Sequence, residues 1–348
     1  MLRVTFLPDP EMNDTRKRRP TLQDIADLTG VTKMTVSRYL RDPQAVAEGT
    51  RERIAAAVEE LGYIPNRAPD ILSNATSKAI GILIPSLSNQ VFSAVVHGIE
   101  SVTRPAGYQT LLAHYGYSPE REEEQVASLL SYHVDGLILS DSQHTERTRK
   151  MIATAGIPVV ETMDLPQNPI DIVVGMDHRA AARAMVTEML RRGRRKLVYL
   201  GARLDVRTQL RMEGYYQAMQ DFGLSGQHLL TEQSSSFTLG GQLLEQALVR
   251  YPDLDGLFCT NDDLAVGALL QCQAKWIPVP QQIAIAGSNA LDIGHAMTPK
   301  LASIVTPRKE IGHIGLHRSV RRSVSRAQDQ SHRNQTKYWR RHTMSTPG

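Results

Sequence analysis

Residues 21–40 read TLQDIADLTGVTKMTVSRYL, a pattern of two short helices joined by a tight turn. Thr21 and Thr32 each stand immediately before an amphipathic segment, where a hydroxyl caps the start of a helix. Gly30 lies between the two segments and tolerates the left-handed backbone of a sharp turn. The stretch therefore predicts a helix-turn-helix whose second helix begins near Lys33.

Apolar side chains predict the inward faces of this unit, which we place at residues 19–63. A third helix is predicted over residues 48–61, after the first two. The predicted inward residues are Leu22, Ile25, Ala26, Leu28, Val36, Leu40, Ile54, Val58 and Leu61. The same pattern also fits a plain three-helix bundle with a solvated charged face, so these residues alone leave both interpretations open.

The second helix of the pair leaves polar side chains pointing outward, as does a helix that reads the major groove of DNA. An arginine in such a helix makes two hydrogen bonds to guanine. Between residues 16 and 41, seven basic residues stand against two acidic ones, a local charge of +5 that suits phosphate contacts. The residues predicted to serve DNA binding in this unit are Thr21, Thr32, Lys33, Met34, Thr35, Ser37 and Arg38.

From residue 80 onward, short apolar runs alternate with amphipathic helical segments. The runs include IGILI, VDGLILS, KLVYLG and QIAIAG. Strands buried on both faces and separated by helices are typical of parallel sheets with helices on both sides. Because the pattern fills too many residues for one sheet, it predicts an α/β unit of two similar lobes with parallel sheets, following the small all-α unit.

The composition of the 348 residues, with 41% apolar and 22% charged, is that of an ordinary globular protein. No apolar stretch approaches the roughly 20 residues that span a bilayer, and the first residues lack the apolar segment of a secretory signal. We therefore expect no membrane association and a cytoplasmic location. Residues 1–18 are predicted to form a disordered leader, and Met12 is an alternative start.

The sequence predicts neither a catalytic nor a metal site. Cys259 and Cys272 have no histidine pattern near them, which favours reduced thiols over a disulfide or a zinc site. No Walker A loop, G-x-S-x-G or H-E-x-x-H motif occurs. We expect no cofactor, no metal and no enzymatic activity.

The segment YIPNRAPDILSNATSKAIGILIPS, together with TVSRYL and TNDD, resembles the LacI family of sugar and purine repressors over about residues 20–312. The resemblance implies a homodimer or homotetramer on a palindromic operator and a hinge at residues 64–77 that folds on DNA. It places Asn66 and Arg67 at the DNA and Leu72 as a wedge in the minor groove. Leu72 also has a plainer interpretation, as a linker residue that packs on its own lobe, and Pro69 departs from the usual hinge pattern.

The resemblance further implies that residues 78–312 form a periplasmic-binding-protein-like sensor with the effector between its lobes. The sequence GSNA places Asn289 where many relatives have an aspartate. A carboxylate at this position would repel an anionic ligand. Its absence, together with the presence of Arg207 and Arg211, therefore favours an acidic sugar as the effector. The alternatives are that the substitution is neutral drift, or that the pocket contacts its ligand through other residues. The predicted effector-binding residues are Ser86, Asn89, Phe92, Arg207, Arg211, Asn261, Asp262 and Asn289.

The segments GYQTLLAHYGYSPE, YLGARLD and FCTNDDLAVGA closely resemble the gluconate-operon repressor branch of the family. This implies a repressor that leaves its operator when gluconate binds. The alternatives are a regulator of another sugar or purine, an activator, a partly defective copy, and a solute-binding component of a transporter. The helix-turn-helix and the missing signal sequence argue against the transporter component.

Residues 313–348 carry eight lysines and arginines and one acid, a charge of +7, whereas the chain totals +4. The sequence pI of 9.0 therefore reflects this tail rather than residues 1–312, whose charge is −3. The family pattern stops near Gly312, which favours a shifted reading frame and a disordered tail over a basic segment that binds nucleic acid. Restoring the other frame in the gene tests this hypothesis, which is wrong if no family-like helix and strand appear.

Overall fold

The computed structural model describes residues 18–66 and 76–315. Residues 1–17 and 316–348 lie outside the described residues, as do Arg67, Pro69 and Leu72 of the predicted hinge. The chain divides into two compact units between residues 75 and 76, and each unit is described by itself below.

The first unit contains three helices, as the sequence predicts. They are α1 (Leu22–Thr29), α2 (Lys33–Arg41) and α3 (Glu48–Glu60), with a short 3-10 turn at Pro43–Ala45 before α3. The buried core of this unit consists of Ile25, Ala26, Val36, Val46, Ile54 and Ala57.

Local sequence explains where the first two helices begin and end. Thr21 and Asp24 form a capping box, in which the Thr21 amide donates to Asp24 Oδ2 at 2.6 Å. Gly30 ends α1 with a left-handed φ of 67°, and Thr32 caps α2 by accepting from the Thr35 amide at 3.2 Å. Both helix starts and the turn between them are thereby fixed within a dozen residues.

The prediction that Leu28 faces the core of this unit is wrong. Leu28 is 51% exposed, whereas Thr29 is buried. An α-helix turns by about 100° per residue, so Leu22, Ala26 and Thr29 share one stripe and Leu28 lies well to the side of it.

The second unit consists of two lobes, each built on a five-stranded parallel sheet. The first sheet has the order β2-β1-β3-β4-β5 and the second β10-β9-β8-β6-β7. The strands are β1 (Ala79–Ile84), β2 (Gln109–His114), β3 (Gly136–Leu139), β4 (Val159–Met163), β5 (Ile172–Gly175), β6 (Leu197–Ala202), β7 (Gln227–Thr231), β8 (Gly256–Cys259), β9 (Ala284–Asn289) and β10 (Ala302–Val305).

Helices connect these strands and cover the sheets. In chain order they are α4 (Gln90–Thr103), α5 (Pro119–Ser131), α6 (Glu146–Ala155), α7 (His178–Arg191), α8 (Val206–Asp221), α9 (Phe237–Arg250), α10 (Asp262–Ala274) and α11 (Asp292–Ala296). The predicted architecture of two parallel α/β lobes is confirmed. No helix among the described residues is both long and apolar enough to cross a bilayer.

The edge strands β7 and β10 were not predicted. Only Leu229 is buried in β7, and no residue of β10 is fully buried. An edge strand with one covered face lacks the continuous apolar run that marks a central strand.

After β10 the chain returns to the first lobe, where residues 308–315 are helical. Ile311 joins the core of the first lobe with Ile80 and Phe92. A side chain at Gly98 would lie 2.2 Å from the Lys309 carbonyl, so this helix packs directly on α4. Helical structure therefore continues three residues beyond Gly312.

Candidate functional site

The outer surface of α2 presents the side chains predicted to read DNA. Lys33, Met34 and Arg38 are exposed, with Met34 at 73%, while Thr35 and Ser37 are half-buried. Neither Lys33 nor Arg38 forms an ion pair with any residue that the structure describes. Their charges are therefore available to a ligand such as DNA.

The other predicted DNA residues occupy different places. Thr21 and Thr32 serve as N-caps, so their hydroxyls hold the two helices in addition to any contact with phosphate. Asn66 is exposed at the last described position of the first unit. Arg67 and Leu72 lie outside the described residues.

The second unit has a cavity of about 30 Å³ between its lobes. Six of the eight predicted effector residues line it, namely Asn89, Phe92, Arg207, Arg211, Asn261 and Asn289. They come together because each follows the carboxyl end of a parallel strand or lies in the first turns of the next helix, and these ends face the same cleft.

Helix N-termini converge on this cavity. Asn89 caps α4, Asp205 caps α8 and Asn261 caps α10, each accepting a backbone amide hydrogen bond. All three caps line the cavity. The partial positive charge of a helix start makes such a place favourable for an anion.

Two predicted effector residues do not line the cavity. Ser86 Oγ accepts from the Asn89 amide at 3.2 Å and so supports the start of α4. Asp262 is fully buried, where it accepts from the Ser303 hydroxyl at 2.6 Å and from the Leu291 amide at 2.7 Å. Asp262 ties β10 and the residues after β9 to α10, so the geometry gives it a structural role instead of a ligand contact.

Sequence reasoning missed several residues that line the cavity, namely Val91, Tyr117, Met163, Arg203, Asp205, Thr208 and Thr260. Tyr117, Met163, Arg203 and Asn289 have positive φ although none of them is glycine, with 81° at Met163 and 69° at Arg203. Strained backbone of this kind clusters at functional sites, but it leaves no signal in sequence. The motif GARLD does contain Arg203 and Asp205, and a search for charges beside the predicted arginines would have found them.

Arg207 is bound across the cleft by a carboxylate from the other lobe. Its Nε and Nη2 donate to the two oxygens of Asp164 at 2.8 and 2.9 Å, and Nη2 also donates to the Ser140 carbonyl at 2.5 Å. Burial alone would raise the pKa of Asp164, but the charge of Arg207 together with the hydrogen bonds from His178 and Arg207 lowers that pKa. The pair is therefore ionised and neutralised within the protein.

Arg211 lies one helical turn further along α8 and has neutral partners. Its Nη1 donates to the Thr260 carbonyl at 2.5 Å, and its Nη2 lies 3.2 Å from His178 Nδ1. Because a guanidinium only donates, His178 Nδ1 must accept, and the proton of this imidazole lies on Nε2. There it donates to the Met163 carbonyl at 3.0 Å.

Burial lowers the pKa of His178, which agrees with a neutral ring. Burial likewise lowers the pKa of Arg211, and no described carboxylate forms an ion pair with it. The third arginine, Arg203, stacks on Tyr117 at 4.1 Å and lies 3.9 Å from Asp205. Arg211 is thus a buried cation of the cleft that forms an ion pair with no carboxylate in the described part of the chain.

Comparison with known proteins places both units in one family. The family described as bacterial regulatory proteins, lacI family, matches residues 21–66. The family described as periplasmic binding proteins and sugar binding domain of LacI family matches residues 77–337. The second match runs past residue 312, where the sequence pattern predicts the likeness to stop.

Individual relatives cover most of the chain. It is 58% identical over 307 residues to the HTH-type transcriptional regulator GntR of Escherichia coli (strain K12), covering 88% of this chain and 93% of that protein. It is 53% identical over 300 residues to the HTH-type transcriptional regulator IdnR of the same strain, covering 86% and 90%. A crystal structure of a LacI family transcriptional regulator from Silicibacter pomeroyi matches with a TM-score of 0.83 at 36% identity, covering 87% and 92%.

These matches confirm the resemblance found in the sequence, including its branch, and the two-part fold. The relatives are transcriptional regulators rather than enzymes. The chain belongs to the LacI family of bacterial DNA-binding transcriptional regulators.

Proposed function

We propose that this protein represses genes of sugar-acid utilisation and leaves its operator when gluconate, or a close relative of gluconate, occupies the cleft. It acts in the cytoplasm as a homodimer or homotetramer on a palindromic operator. The exposed face of α2 reads the major groove, Asn66 and Arg67 contact the DNA, and Leu72 wedges into the minor groove. The similarity to GntR and IdnR supports the gluconate branch.

The observation that carries the effector proposal is that Arg211 is buried in the cavity wall with neutral partners only among the described residues. Its side chain is buried, it lines the cavity, and its described partners are a carbonyl and a neutral imidazole. A buried charge without a counterion is costly, and a ligand carboxylate removes that cost. An anionic effector therefore suits this cleft better than a neutral sugar.

The remaining lining residues suit the polyol part of a sugar acid. Asn89, Asn261 and Asn289 offer amide donors and acceptors for hydroxyl groups, and Phe92 offers an apolar wall. The N-terminus of α4, whose first turn carries no acidic residue, adds positive potential at the same place.

The small cavity supports coupling between effector and DNA. A volume of about 30 Å³ is far below the roughly 300 Å³ or more of a typical small-molecule site, so a six-carbon acid requires the residues around the cavity to rearrange. An effector that binds one arrangement of the lobes better than another shifts operator affinity by that difference in binding free energy.

Titration of operator-bound full-length protein with gluconate tests the proposal, with glucose as the neutral control. The operator fragment is first selected by the protein from random DNA. We expect gluconate to weaken operator binding by about tenfold or more, within the usual range of allosteric coupling, and glucose to leave it unchanged. Unchanged operator affinity at saturating gluconate contradicts the proposal, and tighter binding would show a co-repressor.

A further inference from the structure

The three arginines of the cleft differ in how far the protein already balances their charges. We infer that Asp164, by occupying Arg207, makes the cleft selective for acids with one carboxylate over diacids of the same carbon chain. Asp164 acts through Arg207 and is a specificity-determining residue of the sensor. The inference rests on the proposed sugar-acid effector.

Arg207 has no charge left for a ligand while Asp164 holds it. The pair is bidentate, and the Asp164 side chain is only 3% exposed. The neighbouring carboxylate of Asp141 is engaged elsewhere, since it accepts from the Tyr115 hydroxyl at 3.2 Å and from the Ser142 amide at 2.8 Å. Asp164 is therefore the counterion of Arg207.

Arg211 is the cation that remains for a ligand. It shares the cavity wall with Arg207 one turn away on α8, yet its partners are neutral. The Arg203 side chain is 17% exposed, stacks on Tyr117 and lies 3.9 Å from Asp205, so that carboxylate balances part of its charge, although its buried Nε has no hydrogen-bond partner among the described residues. One deep cation with no counterion accommodates one carboxylate.

A diacid brings a second carboxylate into the same cleft. That group has no deep cation free to receive it while Asp164 holds Arg207, and the carboxylate of Asp205, which lines the cavity, repels it. The diacid would lose charge-assisted hydrogen bonds and would also be repelled. We therefore expect it to bind at least about tenfold more weakly than an equally large acid with one charge.

The decisive measurement uses the unmodified protein and three ligands, with affinities from isothermal titration calorimetry at one salt concentration. They are gluconate, glucarate, and the 6-monoamide of glucarate, which has the size of the diacid but one charge. We expect gluconate and the monoamide to bind within about tenfold of each other, and glucarate at least about tenfold more weakly than the monoamide.

Variants test whether Asp164 causes this difference. Asp164→Asn frees Arg207 and should shift the ratio of glucarate to monoamide affinity toward glucarate by about tenfold or more. Adding Arg207→Gln to that variant should remove the gain, because Arg211 is then the one remaining cavity arginine without a nearby described carboxylate. Asp221→Asn, which removes a carboxylate paired with Arg183 at the surface of the same unit and does not line the cavity, is the matched control and should leave the ratio unchanged.

The outcomes separate the two proposals. If none of the three ligands binds the unmodified protein, the sugar-acid effector is wrong and this inference is overturned with it. If the monoamide binds and glucarate binds equally well, the effector proposal survives and the role of Asp164 is wrong. A folded Asp164→Asn variant with an unchanged ratio also overturns it, and if that variant does not fold, the three ligands on the unmodified protein still decide.

Discussion

Arg38 on α2 and Arg207 on α8 carry the same side chain in opposite surroundings. Arg38 is exposed and forms no ion pair with a described residue, whereas Arg207 is buried and held by both oxygens of Asp164. An exposed cation costs little to maintain and keeps its charge for a phosphate or a base. A buried cation needs a permanent partner, and that partner then limits what else it binds.

The largest effect is expected from a substitution that breaks the buried Arg207–Asp164 pair. Arg207→Met keeps much of the side-chain volume but leaves Asp164 buried without its cation, so the free energy of unfolding should fall by about 3–5 kcal/mol. Arg179→Met is the matched control, since Arg179 pairs with Glu213 at the surface with both side chains about half exposed, and it should cost under about 1 kcal/mol. Urea unfolding measures both, and equal losses would show that burial of the pair is irrelevant.

A second cluster of buried charges lies in the first lobe, and its contribution to stability should depend on pH. His144 lies 2.9 Å from Glu122 and 3.4 Å from Glu161, and all three side chains are almost fully buried. Burial would lower the pKa of His144, but its hydrogen bond to Glu122 and the nearby carboxylate of Glu161 raise it to about 9. The imidazolium is thus the partner that these two carboxylates require.

The sign of the pH effect follows from that shift. Because the pKa of His144 is about 9 in the folded protein and about 6.5 when unfolded, its stabilisation is complete below pH 6.5 and is lost as pH rises through 9. The stability gap between the wild type and His144→Gln should therefore shrink by about 3 kcal/mol between these limits. Urea unfolding at pH 6 and pH 9 measures the gap, and a constant gap contradicts a charged His144.

The difference between the two regions also explains what the sequence could predict. α1 and α2 were predicted because Thr21, Gly30 and Thr32 act on residues three or four positions away. Leu28 was assigned to the core because its apolar character was weighed without its angular position on the helix.

In the cleft, the sequence predicted that Arg207 and Arg211 bind the effector. It did not predict that Asp164 binds Arg207 and leaves Arg211 for the ligand. Asp164 lies 43 residues from Arg207 and on the other lobe, so no local spacing connects them. The positive φ at Met163 and Arg203 is likewise imposed by packing and leaves no mark in residue type. Site residues on helix starts were predictable, whereas contacts across the cleft required the fold.

On the exposed side, Arg38→Ala should weaken binding to the selected operator by about 1–3 kcal/mol, which is the discrimination of one bidentate contact with a base. Binding to unrelated DNA should change little. Arg18→Ala is the matched comparison, because Arg18 belongs to the basic segment predicted to contact phosphates and should weaken both kinds of DNA alike. Fluorescence anisotropy at one salt concentration measures the four affinities. Equal losses of Arg38→Ala on both DNAs would assign Arg38 to the backbone instead of a base.

The smallest expected effect concerns α1, the helix that precedes α2 in the helix-turn-helix. Thr21→Ala removes the hydroxyl of the capping box, in which Thr21 and Asp24 satisfy each other's backbone amides, and should destabilise α1 by about 1 kcal/mol. Hydrogen exchange of the amides in Leu22–Thr29 should then accelerate by about fivefold, since 1.4 kcal/mol corresponds to tenfold. Thr21→Ser keeps an oxygen at the same place and should exchange like the wild type. If both variants exchange equally fast, the methyl group of Thr21 and not its hydroxyl stabilises α1. The exposed reading surface would then depend on packing, as the cleft does, rather than on a local hydrogen bond.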